Sequence, residues 1–155
     1  MDEKQLGATR LARPQLYWED VPVGAFYEWD IAVSQDAVNA YCDVAEDYTP
    51  WYGPAPTSFG DPVVPPMLLS RLCRFTNAPL GVMMGWVHIS QTNEMVAPVR
   101  VGEMLHFRGE VSGKEEPREG MTLVHEQVVV TNPDGNVVMR HTRSYRARNK
   151  KVQSQ

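Results

Sequence analysis

Val64-Pro65-Pro66-Met67-Leu68-Leu69-Ser70-Arg71-Leu72-Cys73-Arg74-Phe75 is the stretch on which the fold turns. Pro65 and Pro66 sit where a helix starts, because the N–H that proline lacks has no intrahelical partner in the first turn. Met67, Leu68, Leu69, Leu72, Cys73 and Phe75 then place apolar side chains around most of the following turns, and Asn77, Pro79 and Gly81 end the run. A helix apolar nearly all round needs cover on most sides, so this one is expected to be wrapped by sheet.

The segments that could wrap it follow at once. Residues 85–95, 103–111, 121–131 and 137–147 read as long strands. They are separated by Pro98 with Gly102, by a turn across 113–120, and by Asn132-Pro133-Asp134-Gly135. Upstream, Tyr27, Trp29, Ile31 and Val33 alternate with Glu28, Asp30 and Ala32, which predicts a first strand over 25–33. Ser34 offers an N-cap, and Val38, Tyr41, Cys42 and Ala45 recur at helical spacing up to Glu46. The order is strand, helix, loop, helix and four strands, an α+β domain whose helical segment alone can cross between the first and second strands. One domain over 17–148 is expected, with a flexible arm over 1–16 and a disordered tail over 149–155.

Composition excludes several classes. The chain has 155 residues, 43% hydrophobic and 22% charged, with a net charge of -4. That balance argues against general affinity for nucleic acid, and the basic run from Arg140 to Lys151 reads as a solvated strand end. Cys42 and Cys73 lack metal-ligand or disulfide spacing. His106, His125 and His141 fall on separate strands, so no metal site is expected. No apolar run is long enough to cross a bilayer, and residues 1–10 lack the apolar centre of a signal peptide, which points to a cytoplasmic protein with no membrane partner.

The candidate site lies in the loop between the two helices. Residues 47–64 hold Pro50, Pro54, Pro56 and Pro62 with Gly53 and Gly60, which precludes a regular helix and disfavours a central strand. Loops this long in compact domains tend to be functional. Within it, Asp47-Tyr48-Thr49-Pro50-Trp51-Tyr52 sets an acid and a second polar group five positions apart across a proline turn, a spacing able to hold a water between them. Trp51 can floor this loop. On the next strand Trp86, His88 and Ser90 alternate, so the simple pleat puts all three on one face.

These segments together resemble the hotdog fold, specifically the MaoC-like family of R-specific enoyl-CoA hydratases and related dehydratases. The likeness rests on Glu19-Asp20-Val21-Pro22-Val23-Gly24, on the Asp47 segment, and on Pro98-Val99-Arg100-Val101-Gly102-Glu103. The Asp47 segment is similar to the hydratase motif Asp-x-Asn-Pro-x-His, matching at Asp47 and Pro50 and departing at Thr49 and Tyr52. Val64-Pro65-Pro66-Met67 resembles the segment that usually reads His-Gly-Met where the central helix begins. The resemblance implies a long antiparallel β-sheet wrapped around a central α-helix and an acyl thioester substrate. Coenzyme A or acyl carrier protein would be part of that substrate, with no separate cofactor.

The family chemistry makes Asp47 the base that activates water. Tyr52 would position that water, since a phenol titrating near about 10 donates better than it accepts. Backbone N–H groups at the start of the central helix polarise the thioester carbonyl in the family, and with proline at 66 the nearest donor is Met67. Trp51, Pro66, Met67, Trp86 and His88 are the expected substrate-binding residues. Three activities remain open: a hydratase or dehydratase, a non-catalytic acyl-binding or partner-stabilising subunit of a heteromeric hydratase, and a hotdog acyl-CoA thioesterase. An edge strand left open by such a sheet calls for a homodimer or a pair with a related hotdog chain.

Overall fold

A computed structural model of the chain describes residues 15–57, 60–73 and 85–150. After a short turn at Trp18–Asp20 come β1 (Phe26–Ala32), α1 (Gln35–Ala45), a single 3-10 turn at Pro50–Tyr52, and α2 (Pro66–Leu72). The chain then runs through β2 (Val87–Met95), β3 (Met104–Arg118), β4 (Met121–Thr131) and β5 (Val137–Arg146). All five strands form one sheet in the order β1-β3-β4-β5-β2, every neighbouring pair antiparallel. The helical segment is the crossover that carries the chain from one edge, β1, to the other, β2.

One face of this sheet holds the core. Leu105 and Phe107 of β3, Val128 and Val130 of β4, and Met139 of β5 pack with Val38 and Cys42 of α1 and with Leu69 and Cys73 at α2. Tyr27, Trp29 and Phe107 stack in a row, with ring centroids 5.4 and 5.0 Å apart. Gly109 lies under that row: a Cβ there would fall 2.3 Å from the Tyr27 ring, so only glycine lets the ring lie flat on the sheet. A second cluster at the other end joins Leu16, Val21, Tyr27, Val111, Val124 and Ala147, with Trp86 packed against it.

Three differences from the sequence reading have local causes. The turn expected over 113–120 is mostly strand: β3 runs to Arg118, shifts register between Glu115 and Arg118 around Pro117, and turns only at Glu119 and Gly120, where φ is 74°. A glycine there meets a backbone angle that side chains disfavour. The expected shared face of Trp86, His88 and Ser90 is broken, because the β2–β5 register shifts between His88 and Ser90 and sends Ser90 opposite Ser144 while His88 stays opposite Tyr145. Finally, α2 is covered on one side only: Leu69 and Ser70 are buried, whereas Pro66, Met67 and Arg71 are exposed. Phe75, Asn77, Pro79 and Gly81, expected to extend and end that helix, lie outside the described residues.

At the termini, Gln15 and Leu16 are the described residues of the expected arm, and Leu16 is buried. Of the expected tail, Asn149 is buried and Lys150 pairs with Asp20.

Candidate functional site

Ser34 caps α1 by accepting the Ala37 N–H, and the helix stops at Glu46, whose φ of 53° turns the chain left-handed. The Asp47 N–H then returns to the Cys42 carbonyl at 3.0 Å, fixing where the loop leaves the helix. Asp47 Oδ1 accepts from the Thr49 N–H at 3.2 Å and from Thr49 Oγ1 at 2.7 Å, an Asx turn that orients the carboxylate. Oδ2 makes no hydrogen bond to a described residue. Tyr52 closes the 3-10 turn with its N–H on the Thr49 carbonyl, and Gln35 of α1 donates to the Tyr52 carbonyl at 2.7 Å.

Asp47 and Tyr52 thus share a cavity of about 200 Å³, walled by Asn39, Cys42 and Asp43 of α1 and by the loop itself. Burial, and after it the charge of Asp47, raises the Tyr52 phenol above its ordinary range. At neutral pH it stays protonated, a hydrogen-bond donor and not a proton acceptor. Cys42 in the same wall is also held up, first by burial and then by Asp47 and Asp43, which favours the thiol over the thiolate.

Tyr52 also lines a second, apolar groove of about 310 Å³ with Trp51, Val64, Pro66, Met95 and Val96. This groove joins the loop, the start of α2 and the end of β2. Of the residues expected to touch substrate, Trp51 and Pro66 stand in it. Met67 supplies the first N–H of α2, and its side chain is exposed.

His88 and Trp86 stand elsewhere. His88 on β2 is exposed, and its Nε2 lies 3.0 Å from the Ser90 carbonyl. Trp86 packs edge-on to Tyr145 and donates its indole N–H to the Leu16 carbonyl at 3.1 Å. Neither lines the Asp47 cavity or the groove beside it.

Sequence reasoning overlooked Thr49 and Gln35. The signal for Thr49 was present, because an aspartate side chain readily accepts the N–H two residues on, and a hydroxyl at that position can add a second bond to the same oxygen. Gln35 gave none, since its role depends on α1 folding against the loop. Among the described residues no group of three or more histidines, cysteines and acids could hold a metal ion. Nor is any helix among them long and apolar enough to cross a membrane.

A five-stranded antiparallel sheet carrying a helix on its inner face, with an acid-bearing loop ahead of that helix, is the architecture of a hotdog protein. The chain belongs to the FAS1-like, dehydratase domain region family, whose model matches residues 22–141. In fold it is similar to R-hydratase PhaJ1 from Pseudomonas aeruginosa in the unliganded form: TM-score 0.73, 22% identity, and 88% of each chain covered. It is similar too to the HadBC 3R-hydroxyacyl-ACP dehydratase complex from Mycobacterium tuberculosis, at TM-score 0.68 and 18% identity over 79% of this chain and 95% of that one. The ChsH1-ChsH2 complex from the same organism matches at TM-score 0.68 and 16% identity, covering 82% and 98%. Among curated proteins, none matches by sequence.

Proposed function

We propose that the protein adds water to, or removes it from, an acyl thioester, with Asp47 as the base and the Tyr52 phenol as the donor that holds the water or substrate. The observation that carries this is the position of Tyr52, which lines both the polar cavity of Asp47 and the apolar groove beside α2. A 2-enoyl group lying in that groove would present its double bond beside Asp47. Hydration needs a proton taken from water at one carbon and one delivered at the next. Asp47 suits the first step, with one oxygen fixed by Thr49 and the other open. The thioester carbonyl would meet the Met67 N–H, since Pro66 has none to offer. The reaction is redox-neutral and calls for no redox cofactor.

A non-catalytic, partner-stabilising role is favoured by a separate observation: no histidine lines the cavity of Asp47. In that case a related hotdog chain would supply turnover and this one would shape the pocket. Both readings use β2, an edge strand with no buried residue on either face, as the seam for a homodimer or a mixed pair.

The test is a hydration assay of the purified protein, alone, on 2-enoyl-CoA substrates of graded length. Turnover that Asp47→Asn lowers by ~10²-fold or more supports the enzyme reading. Turnover indifferent to that change removes Asp47 from the mechanism, and activity only after a second hotdog chain is added selects the partner reading. Release of free thiol from saturated acyl-CoA would mark a thioesterase instead.

A further inference from the structure

Beyond the Asp47 cavity, the inner face of the sheet carries buried polar side chains that the reaction above leaves unused. Glu126 of β4 lies opposite Arg143 of β5, and His141 of β5 lies opposite Asn93 of β2. Glu126 is 1% exposed, His141 0% and Arg143 8%. A hydrogen-bonded chain ties part of this set to α2. Gln91 Nε2 donates to Ser70 Oγ at 3.4 Å, and Ser70 Oγ in turn donates to Asn93 Oδ1 at 3.0 Å. His141 Nδ1 lies 2.6 Å from that same oxygen. An amide oxygen only accepts, so Nδ1 carries the ring proton and Nε2 is a bare acceptor.

Other polar atoms of the set are less well partnered. Arg143 Nη1 donates to the Tyr145 hydroxyl at 2.8 Å, but its Nε, both Glu126 oxygens and His141 Nε2 make no well-formed hydrogen bond. A cluster kept only for packing would pair its members with one another, because each buried orphan is destabilising. Burial pushes the Glu126 carboxyl up to about 8, against the pull of Arg143 and Tyr145. His141 is held down to about 4 by burial, then by Arg143 and His88. At neutral pH the set therefore offers the Glu126 O–H and the Arg143 Nε–H as donors, the Glu126 carbonyl and His141 Nε2 as acceptors, and the positive charge of Arg143, which suits an oxygen function.

Its place relative to the groove decides what could bring that oxygen. Pro66 lines the groove, and Ser70 follows one helical turn later, ~6 Å along α2. Cys73, a further turn on, lies close enough to Arg143 for the guanidinium to act on its thiol. We propose that Glu126, Arg143 and His141 form a distal subsite for an acyl group that bears an oxygen function at its far end, a hydroxyl or a carboxylate, entering along α2 from Pro66. This rests on the acyl-thioester reading and narrows its substrate class.

Binding of saturated thioesters tests it without turnover. Hexanoyl-CoA, its ω-hydroxy analogue and its ω-carboxy analogue are titrated into the full chain by calorimetry, beside Arg143→Met and Glu126→Leu. At least one oxygenated ligand should bind tenfold or more tighter than hexanoyl-CoA, and the ratio should fall to about one in whichever variants keep the wild-type circular dichroism. The better of the two oxygenated ligands tells a neutral from an anionic end. Equal or tighter binding of hexanoyl-CoA overturns the subsite alone, as does a preference that survives in a folded variant. Failure of all three ligands to bind overturns the acyl-thioester reading and the subsite with it.

Discussion

At pH 7 an imidazole can both take and give a proton, whereas the Tyr52 phenol, raised above its ordinary range by burial and by Asp47, can only donate. Replacing it with the group that the motif normally carries should therefore restore a proton acceptor beside Asp47. Tyr52→His is expected to raise kcat/KM for 2-enoyl-CoA hydration by ~10-fold or more. Steady-state rates of the two proteins decide it, and an unchanged or lower value would show that Tyr52 is not standing in for the histidine. Glu126 and His141 make a second residue-scale case, one of stability. Between its ordinary 4.5 and its folded value of about 8, Glu126 keeps a proton that the unfolded chain sheds, so stability falls as pH rises. His141 works the other way: between 6.5 and about 4 the unfolded chain gains a proton that the folded one refuses, so stability falls as pH drops. The two oppose each other from 4.5 to 6.5, and from 6.5 to 8 Glu126 acts alone. Glu126→Gln should remove the decline between pH 6.5 and 8, read as the shift in urea midpoint of each protein, and parallel declines would refute it. That Asp47 and Tyr52 share a cavity was legible in the sequence because a spacing marked them. Glu126 and Arg143 were not, because on β4 and β5 they look like ordinary charged residues until burial is known.

At the scale of elements, the strand and helix order was readable because each element follows its own period, and the errors fell where a local device interrupts that period. The bulge beside Ile89 reverses the face of Ser90, and β3 runs on through an irregular register at Glu115 to Arg118 where a turn was expected. Gly109 is the opposite case, an apparent weak point in a strand that the Tyr27 ring requires. Gly109→Ala should push the ring off the sheet and cost about 1–3 kcal/mol, the usual range for overpacking. Thermal denaturation measures it, and a loss below ~0.5 kcal/mol would mean the stack can slide without strain. Glu46, at a φ of 53°, ends α1 in a conformation that suits glycine. Glu46→Gly should raise the melting temperature, since roughly 1 kcal/mol of backbone strain disappears with the side chain. No rise would place the strain elsewhere in the loop.

At the scale of the whole molecule, the two sheet edges are unlike. β1 buries Tyr27 and stacks Trp29 inward, whereas β2 has no buried residue, with Val87 and Ile89 half exposed at 54% and 51%. β2 also carries none of the devices that keep an edge apart, having no lysine and no proline, and its single full charge, Glu94, is taken by Arg140 at 3.3 Å. Antiparallel pairing of β2 with a two-fold copy would cover these side chains and extend the sheet across both protomers. It would also close the groove of Trp51, Tyr52, Pro66, Met95 and Val96, which opens at the end of β2. In that arrangement assembly and site would be joined through one strand. Ile89→Lys sets a charge on that edge and, by symmetry, an equal charge facing it, so it should convert dimer to monomer without unfolding the sheet. Light scattering on the wild type and the variant reads the mass directly, and circular dichroism reports the fold. Because the groove would then stand open to water, hydration activity should fall with the dimer fraction as the protein is diluted. A variant that stays dimeric, or a monomer that keeps full activity, would place either the seam or the substrate groove away from β2.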